Sequence, residues 1–416
     1  MIYKLISECR ICNNTKLVPI LDLGMQALTG FFPNVVDQVE EGPLQLVKCD
    51  VSEGSDSCGL LQLRHNYQME KLYGDHYGYR SGLNPSMVEH LCGIVVHIEE
   101  FINLNSGDLV IDIASNDGTL LSAYKNRELL LVGIDPTAEK FKSFYPNDVR
   151  RITDFFSSEI VNQNFGKKKA RVITSISMFY DLYSPLETMR EIESILADDG
   201  IWVVEQSYMP KMLSNISYDT ICHEHLEYYA LKQFKWMADR SGLKIIDIQF
   251  NSVNGASFSI TLAKKEAQYC EATQKITNIL EKEIQSGLDE YQIYRNFANE
   301  VETHKKLLVT TLQQMVMSGS LILGYGASTK GNVILQYCGI DKKLLPFISE
   351  VNPDKFNKYT PGSNIPIISE IDAVKLKPDY YLVLPWHFRE SILKKEKIYL
   401  EQGGKMIFPL PKINVV

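Results

Sequence analysis

The sequence predicts an α/β protein in which two doubly wound, parallel-sheet units follow a small cysteine-bearing module. Three observations lead there. Strand-like apolar runs alternate with helix-like segments between about residues 105 and 206, the pattern of a parallel sheet covered by helices. The alternation returns between 321 and 410. Four of the eight cysteines (Cys9, Cys12, Cys49, Cys58) lie in the first 58 residues. A chain of 416 residues also exceeds one ordinary core, so several domains are expected.

Residues 1–70 carry short apolar runs and turn residues, such as LDLG at 21–24 and GLLQLRH at 59–65, with no long helical period. Cys9-x2-Cys12 followed by Cys49 and Cys58 has the ligand count of a tetrahedral four-thiolate zinc site, in which the metal replaces a large core. Four free thiols and a catalytic metal are the other readings, but a closed shell of four thiolates leaves no open position for chemistry. Scattered placement of the remaining cysteines indicates a reducing compartment rather than a disulfide framework.

A helical lead-in is expected over 71–104, opening a unit that runs to 263. Within it DLVIDIAS (108–115) reads as a buried strand, TLLSAYKN as a helix, LLLVGID (129–135) and ARVITSIS (170–177) as strands, PLETMREIESIL as a helix and GIWVVEQ (200–206) as a strand. The last unit spans 264–416. It starts with a charged, helix-forming stretch to 317 containing one glycine, Gly287, and therefore one long helix or two. LILGYGASTKGNVILQY (321–337) is strand, glycine turn and helix, and PDYYLVLPW (378–386) and GKMIFPL (404–410) supply further strands.

In VIDIASNDGTLL (110–121) an acid-bearing strand passes through a small-residue turn into a helix. Ala114, Ser115 and Gly118 let backbone amides approach a cofactor, and Asp135, ending the next strand, can take ribose hydroxyls. NAD enzymes and S-adenosylmethionine (SAM) methyltransferases share this geometry. A pyrophosphate needs uncluttered amides with G-x-G-x-x-G spacing, whereas Asp112, Asp117 and Asp135 crowd this site with negative charge. A sulfonium cofactor suits it better.

Over essentially its whole length the chain resembles the SAM-dependent C-methyltransferases that act on nucleotide-linked keto-deoxysugars. The resemblance is carried by CRIC, YGDHYGYRSGLNPSM (73–87), IDIASNDGTLL, VITSISMFYDL (172–182), YDTICHEHLEYYAL (218–231), SVNGASFSI (252–260), GYGASTKGN (324–332), LVLPWHFRE and GGKMIFPLP. It implies a zinc-binding N-terminal module, a central SAM-dependent methyltransferase Rossmann-like domain and a second, C-terminal Rossmann-like domain that helps to hold the sugar nucleotide. Many members have Glu and Gly where this chain has Asp112 and Ala114, a histidine near Asp181 and a tyrosine in place of Cys222. With the resemblance, the expected cofactor residues are Asp112, Ala114, Ser115, Asn116, Gly118, Asp135, Asp154 and Ser177.

Making a carbon–carbon bond with SAM requires a carbon nucleophile, which a sugar C–H supplies only beside a carbonyl. A base must take the proton, and donors must stabilise the enolate. His225 is the expected base, with Glu224 orienting the site or sharing the proton. HEHLE is not the H-E-x-x-H zincin motif, because Glu227 stands four residues beyond His223. Tyr77 and Tyr79 are candidate enolate donors or substrate walls, with ordinary packing as the alternative. His223, Tyr228, Tyr229 and Asn254 are assigned to the substrate, although Asn254 and its VNGAS neighbours also suit a plain turn. In the second glycine loop Tyr325, Lys330 and Asn332 are placed to meet a diphosphate, joined by His387 and Arg389, whose alternative is a solvated loop. The loop lacks P-loop order, and NAD binding there is the competing possibility.

The resemblance thus implies methylation at C3 of a TDP- or GDP-linked 4-keto-6-deoxyhexose, for branched-sugar biosynthesis. An O- or N-methyltransferase, an NAD-dependent sugar-nucleotide oxidoreductase and a non-catalytic zinc module are the rival classes. A net charge of −8 argues against nucleic acid as a partner. The first residues lack a leader pattern and no run of about 18 apolar residues occurs, so a cytoplasmic protein away from membranes is expected. A monomer is the expected state, because one chain can supply a complete site.

Overall fold

The computed structural model describes residues 2–36, 39–52, 56–74 and 77–416. Its N-terminal module is a four-stranded antiparallel sheet ordered Glu227–Tyr228, Leu61–Leu63, Glu41–Cys49 and Leu17–Ala27. The edge strand is borrowed from the HEHLEYY segment far along the chain. Tyr3–Leu5 and His65–Tyr67 add a small antiparallel ribbon. Arg10, inside the first cysteine pair, is buried. Its guanidinium donates to the carbonyls of Leu63 (2.6 Å), His65 (3.0 Å) and Leu226 (3.4 Å) and lies 3.6 Å from Glu227.

The central sheet has seven strands, ordered Leu243–Asn251, Ser257–Lys264, Leu196–Ser207, Ala170–Ile176, Leu109–Ile113, Leu130–Ile134 and Arg150–Ile152. The last five are parallel, and Ser257–Lys264 runs antiparallel to both neighbours. All five residues of Leu109–Ile113 are buried, which explains its unbroken apolar run. From this strand the chain first winds outward one way and then returns on its other side to Ala170–Ile176. That switch point opens a crevice at the carboxyl ends of the two strands.

The lead-in helix is Pro85–Phe101, started by Pro85 and by the Asn84 side chain, which accepts from the Ser86 amide. It buries Met87, Leu91, Ile94, Val95 and Ile98 along one stripe. The helix expected over TLLSAYKN is a single turn, Thr119–Ser122; the polar tail offers no stripe to bury, and Arg127 instead caps the Tyr124 carbonyl at 3.0 Å.

The stretch before the last unit is two helices, Thr273–Gln285 and Tyr291–Met317. Gly287 stands between them at φ +76°, the left-handed region that glycine enters freely. The final sheet orders Ile367–Ser369, Ile348–Glu350, Ile322–Tyr325, Tyr380–Val383, Lys405–Phe408 and Asn414–Val415, all parallel but the last. Its switch point lies between Ile322–Tyr325 and Tyr380–Val383, beside the GYGAST turn. Among the described residues no helix is long and apolar enough to cross a membrane.

Candidate active site

The four cysteine sulfurs lie within 4.8 Å of one another, with Cys9–Cys58 and Cys12–Cys49 both at 3.5 Å. Tetrahedral zinc with bonds of about 2.3 Å requires sulfurs roughly 3.8 Å apart, so the set fits. The Asn13 amide donates to Cys9 O at 3.0 Å and closes the tight turn that holds Cys9 and Cys12, Asn13 itself standing at φ +58°, and Asn14 Nδ2 donates to Cys49 Sγ at 3.5 Å. The long spacer of the second pair is bridged by the sheet, since the Cys49 amide donates to Leu60 O at 2.8 Å.

A cavity of about 360 Å³ opens at the central switch point. Asp112, Ala114, Ser115, Asn116, Asp135 and Ser177 lie on its wall, together with Tyr77 and Tyr79. Gly118 and Asp154 do not. Gly118, at φ +76°, lets the Tyr145 ring pass where a Cβ would sit 2.7 Å from it, and Asp154 is exposed while its neighbour Phe155 takes the wall. Asp135 accepts from the Asn116 amide (2.8 Å) and from the Thr137 amide and hydroxyl (both 2.6 Å). Ala114 and Asn116 hold φ of +58° and +51°, which turns the loop between strand and helix sharply. The segment before the lead-in helix closes over this loop. Ser81 and Gly82 amides donate to the side chains of Asn116 and Asp117, both at 2.9 Å, and Arg80 stacks on Phe144 beside Asp117.

The wall carries the carboxyls of Glu70, Asp112, Asp135 and Asp181 and, among the described residues, no Lys, Arg or His. With carboxyls and no cation on it, such a lining suits a sulfonium and an ammonium and disfavours a pyrophosphate, even with Asp181 uncharged. Burial lifts the Asp112 carboxyl to about 7, against a 2.6 Å hydrogen bond from Thr174. Below about pH 7 a cationic ligand must therefore expel a proton from Asp112. SAM affinity is expected to fall as the pH drops from 7 to 5, by up to roughly tenfold per unit, with proton release visible by calorimetry in buffers of different ionisation enthalpy. An Asp112→Asn enzyme with the same pH dependence would refute this.

Cys222–His225 forms a β-turn closed by the His225 amide donating to Cys222 O at 3.1 Å, so its side chains fan apart. His223 is fully buried against the N-terminal module, with Nδ1 at 3.4 Å from Thr29 Oγ1, Nε2 at 3.3 Å from Gly42 O and Tyr67 edge-on. Burial lowers it to about 4. It faces neither the cavity nor the second glycine loop, contrary to the substrate contact expected of it. Glu224 accepts from Thr29 Oγ1 at 3.3 Å and lies against Gly30. His225 alone among residues 221–230 is incompletely buried. Its Nδ1–H donates to Thr220 O at 2.8 Å, its ring packs on Tyr180 at 4.4 Å, and burial together with Lys330 lowers it to about 3. This imidazole is neutral, with its lone pair on Nε2. His225 borders a small cleft with Tyr180, Thr220 and Tyr228 rather than the large cavity.

Thr29 and Gly30 are where the three units meet, because Thr29 O also accepts from Asn332 Nδ2 at 2.7 Å. A Cβ on Gly30 would stand 2.5 Å from Glu224 Oε1. Gly30→Ala is expected to swing that carboxylate and lower kcat by about 10²-fold while leaving SAM affinity unchanged, as steady-state kinetics and calorimetry would read.

Lys330 Nζ donates to Asn254 O at 3.1 Å, and Asn254 Nδ2 reaches Ser177 Oγ at 3.3 Å. The cavity rim is thereby tied to the second glycine loop. His387 stands near Lys330, which with burial holds it well below the usual histidine range, and its Nδ1 has no partner among the described residues. Four expected substrate residues point elsewhere. Asn332 is fully buried as a fastener to Thr29. Tyr229 is fully buried against Phe179 and Phe234. The Tyr325 hydroxyl donates to Glu396 at 2.8 Å beside Tyr381, and Arg389 stacks on Phe408 and donates to Asn414 at the sheet edge. Tyr228 is a buried neighbour whose hydroxyl donates to His225 O at 3.0 Å. Sequence reasoning missed Tyr73, Phe155, Met178 and Asp181 on the cavity wall; an acid just past the switch-point strand was the available signal for the last.

A seven-stranded switch-point sheet, an acidic cavity and a tight glycine loop define a SAM-dependent methyltransferase. Family models agree with this along the chain: a zinc binding domain matches residues 9–73, a methyltransferase domain 93–248 and the C-methyltransferase C-terminal domain 252–411. C-methyltransferase NovU of Streptomyces niveus is 31% identical over 418 residues, covering 99% of this chain and 97% of that one. The chain belongs to this family of C-methyltransferases. Among solved structures, a SAM-dependent methyltransferase from Clostridium acetobutylicum is 13% identical over 42% of this chain and 92% of that one (TM-score 0.33). The CcbJ methyltransferase from Streptomyces caelestis is 12% identical over 47% and 96% (TM-score 0.34).

Proposed function

We propose that this C-methyltransferase acts on a nucleotide-linked keto-deoxysugar, at the carbon beside the ketone, C3 of a 4-keto-6-deoxyhexose. The observation that carries the reading is His225, a neutral imidazole fixed in its Nδ1–H tautomer and close enough to Lys330 to feel its charge. Its free Nε2 suits removal of an acidic C–H proton at neutral pH. Bound in the cavity, SAM supplies an electrophilic methyl group. Thr329–Cys338 begins at the second glycine turn with Ser328 as its cap, so its first amides and Lys330 favour an anionic diphosphate. Asp112 and Asp135 hold the cofactor side, and Tyr77 and Tyr79 line the same cavity. On this reading the units are 1–70, 71–263 and 264–416, and a single chain in the cytoplasm suffices.

The test is mass spectrometry of purified protein with SAM and a panel of TDP- and GDP-linked 4-keto-6-deoxysugars in D2O. A methyl gained on carbon, with the exchangeable α position consumed, is expected. Transfer to oxygen or nitrogen without α exchange would overturn the reading, as would SAM binding with no product from any keto-sugar.

A further inference from the structure

We propose that Asp181 and Tyr73 form the oxyanion-stabilising pair of this reaction, with Asp181 in its acid form donating a hydrogen bond from Oδ1 to the substrate's ketone oxygen as the neighbouring carbon is deprotonated. The inference rests on the keto-sugar reading, but not on which group is the base.

Asp181 ends the short turn Phe179–Asp181 that follows the switch-point strand, and it lines the cofactor cavity alongside Tyr73 and Met178. The Tyr73 hydroxyl donates to Asp181 Oδ2 at 2.7 Å. Oδ1 is buried and has no partner among the described residues. An ionised carboxylate would leave that buried oxygen as a bare anion with no donor among the described residues, which costs far more than holding a proton. Because Oδ2 already accepts from tyrosine, the proton belongs on Oδ1. Burial, reinforced by Glu224, raises Asp181 well above the carboxylate range even against the Tyr73 bond.

Glu224 behaves differently. Burial raises it too, but Thr29, Cys222 and its own backbone amide all donate to it. Two neighbouring carboxyls in unequal surroundings divide their roles, one neutral and one able to carry charge. A neutral acid is a weak donor to a ground-state ketone and a strong one to an enolate, so its bond tightens as charge develops.

The step balances without a net proton on Asp181. The α C–H bond breaks, its proton goes to the base and its electron pair becomes the enolate. As that carbon takes the methyl group, the sulfur–carbon pair stays on sulfur and the ketone re-forms.

The experiment compares Asp181→Ala, Asp181→Leu, Asp181→Asn and Tyr73→Phe with wild type. It measures SAM affinity, methyl transfer, and deuterium wash-in at the α carbon of a keto-sugar nucleotide without SAM. The Ala and Leu enzymes are expected to bind SAM normally and to lose both rates by about 10²–10³-fold. Asn keeps an uncharged donor in the same shape and is expected to recover to within roughly tenfold of wild type, with Phe at position 73 intermediate. Full activity of both apolar variants would overturn the proposal. An Asn enzyme as slow as Ala would also overturn it, since that result marks an ionised base. A wild type that neither exchanges nor methylates any keto-sugar would remove the functional reading and this pair together, whereas an active wild type with unaffected variants removes the pair alone.

Discussion

His225→Ala is expected to bind SAM as tightly as wild type and to turn over about 10²–10⁴-fold more slowly, the usual worth of a positioned proton acceptor. The affinity half follows from geometry: His225 borders a separate small cleft, packed on the Tyr180 ring, and stands outside the 360 Å³ cavity. The rate half follows from the Thr220 carbonyl, which fixes the tautomer at 2.8 Å and leaves Nε2 as the acceptor. Burial and Lys330 lower this imidazole to about 3, so it stays unprotonated through the neutral range and no acid limb from His225 is expected above about pH 5. A diphosphate beside Lys330 would partly cancel that cation and raise His225, strengthening it as a base in the complex. Calorimetry for SAM and kcat across pH 5–9 check both halves. Normal turnover by the alanine enzyme would remove His225 from the chemistry.

Stripping the zinc is expected to abolish methyl transfer and to lower the melting temperature by more than about 10 °C. A structural zinc is worth on the order of 10 kcal/mol to the fold that carries it, comparable to the whole net stability of a domain, about 5–15 kcal/mol. Here the loss would not stop at the cysteines. Arg10, set between Cys9 and Cys12, gathers the carbonyls of Leu63, His65 and Leu226, and Leu226 directly follows His225. Thr29, in the same module, supports Glu224. Metal analysis, circular dichroism and rate should fall together on chelation and return with added zinc. A metal-free enzyme that melts and turns over normally would refute the coupling.

Where burial is uniform, the sequence was easy to read. VIDI, LLVGI and VITSI are strands because a two-sided parallel sheet leaves no exposed face, and four closely spaced thiols had one economical use. Side-chain direction was harder. HEH looked like one cluster, but a β-turn sends His223 into the zinc module, Glu224 to Thr29 and His225 toward Thr220. Tyr325 sits in the second glycine loop and Arg389 just past a strand of the same sheet, but they spend their polar ends on Glu396 and Asn414. Asp181 drew no assignment because its environment is made by Tyr73, 108 residues earlier. Pairings of that range carry no local pattern.

The borrowed edge strand imposes an order on synthesis. The N-terminal module leaves the ribosome first, yet its sheet lacks Glu227–Tyr228 and Arg10 waits for Leu226, 216 residues downstream. At about 5–20 residues per second this is a delay on the order of ten seconds or more. During that time Leu61–Leu63 presents an open edge, the kind that pairs with other chains. Early zinc capture is then a protection of the nascent chain, and zinc supply during expression should govern soluble yield before it governs activity.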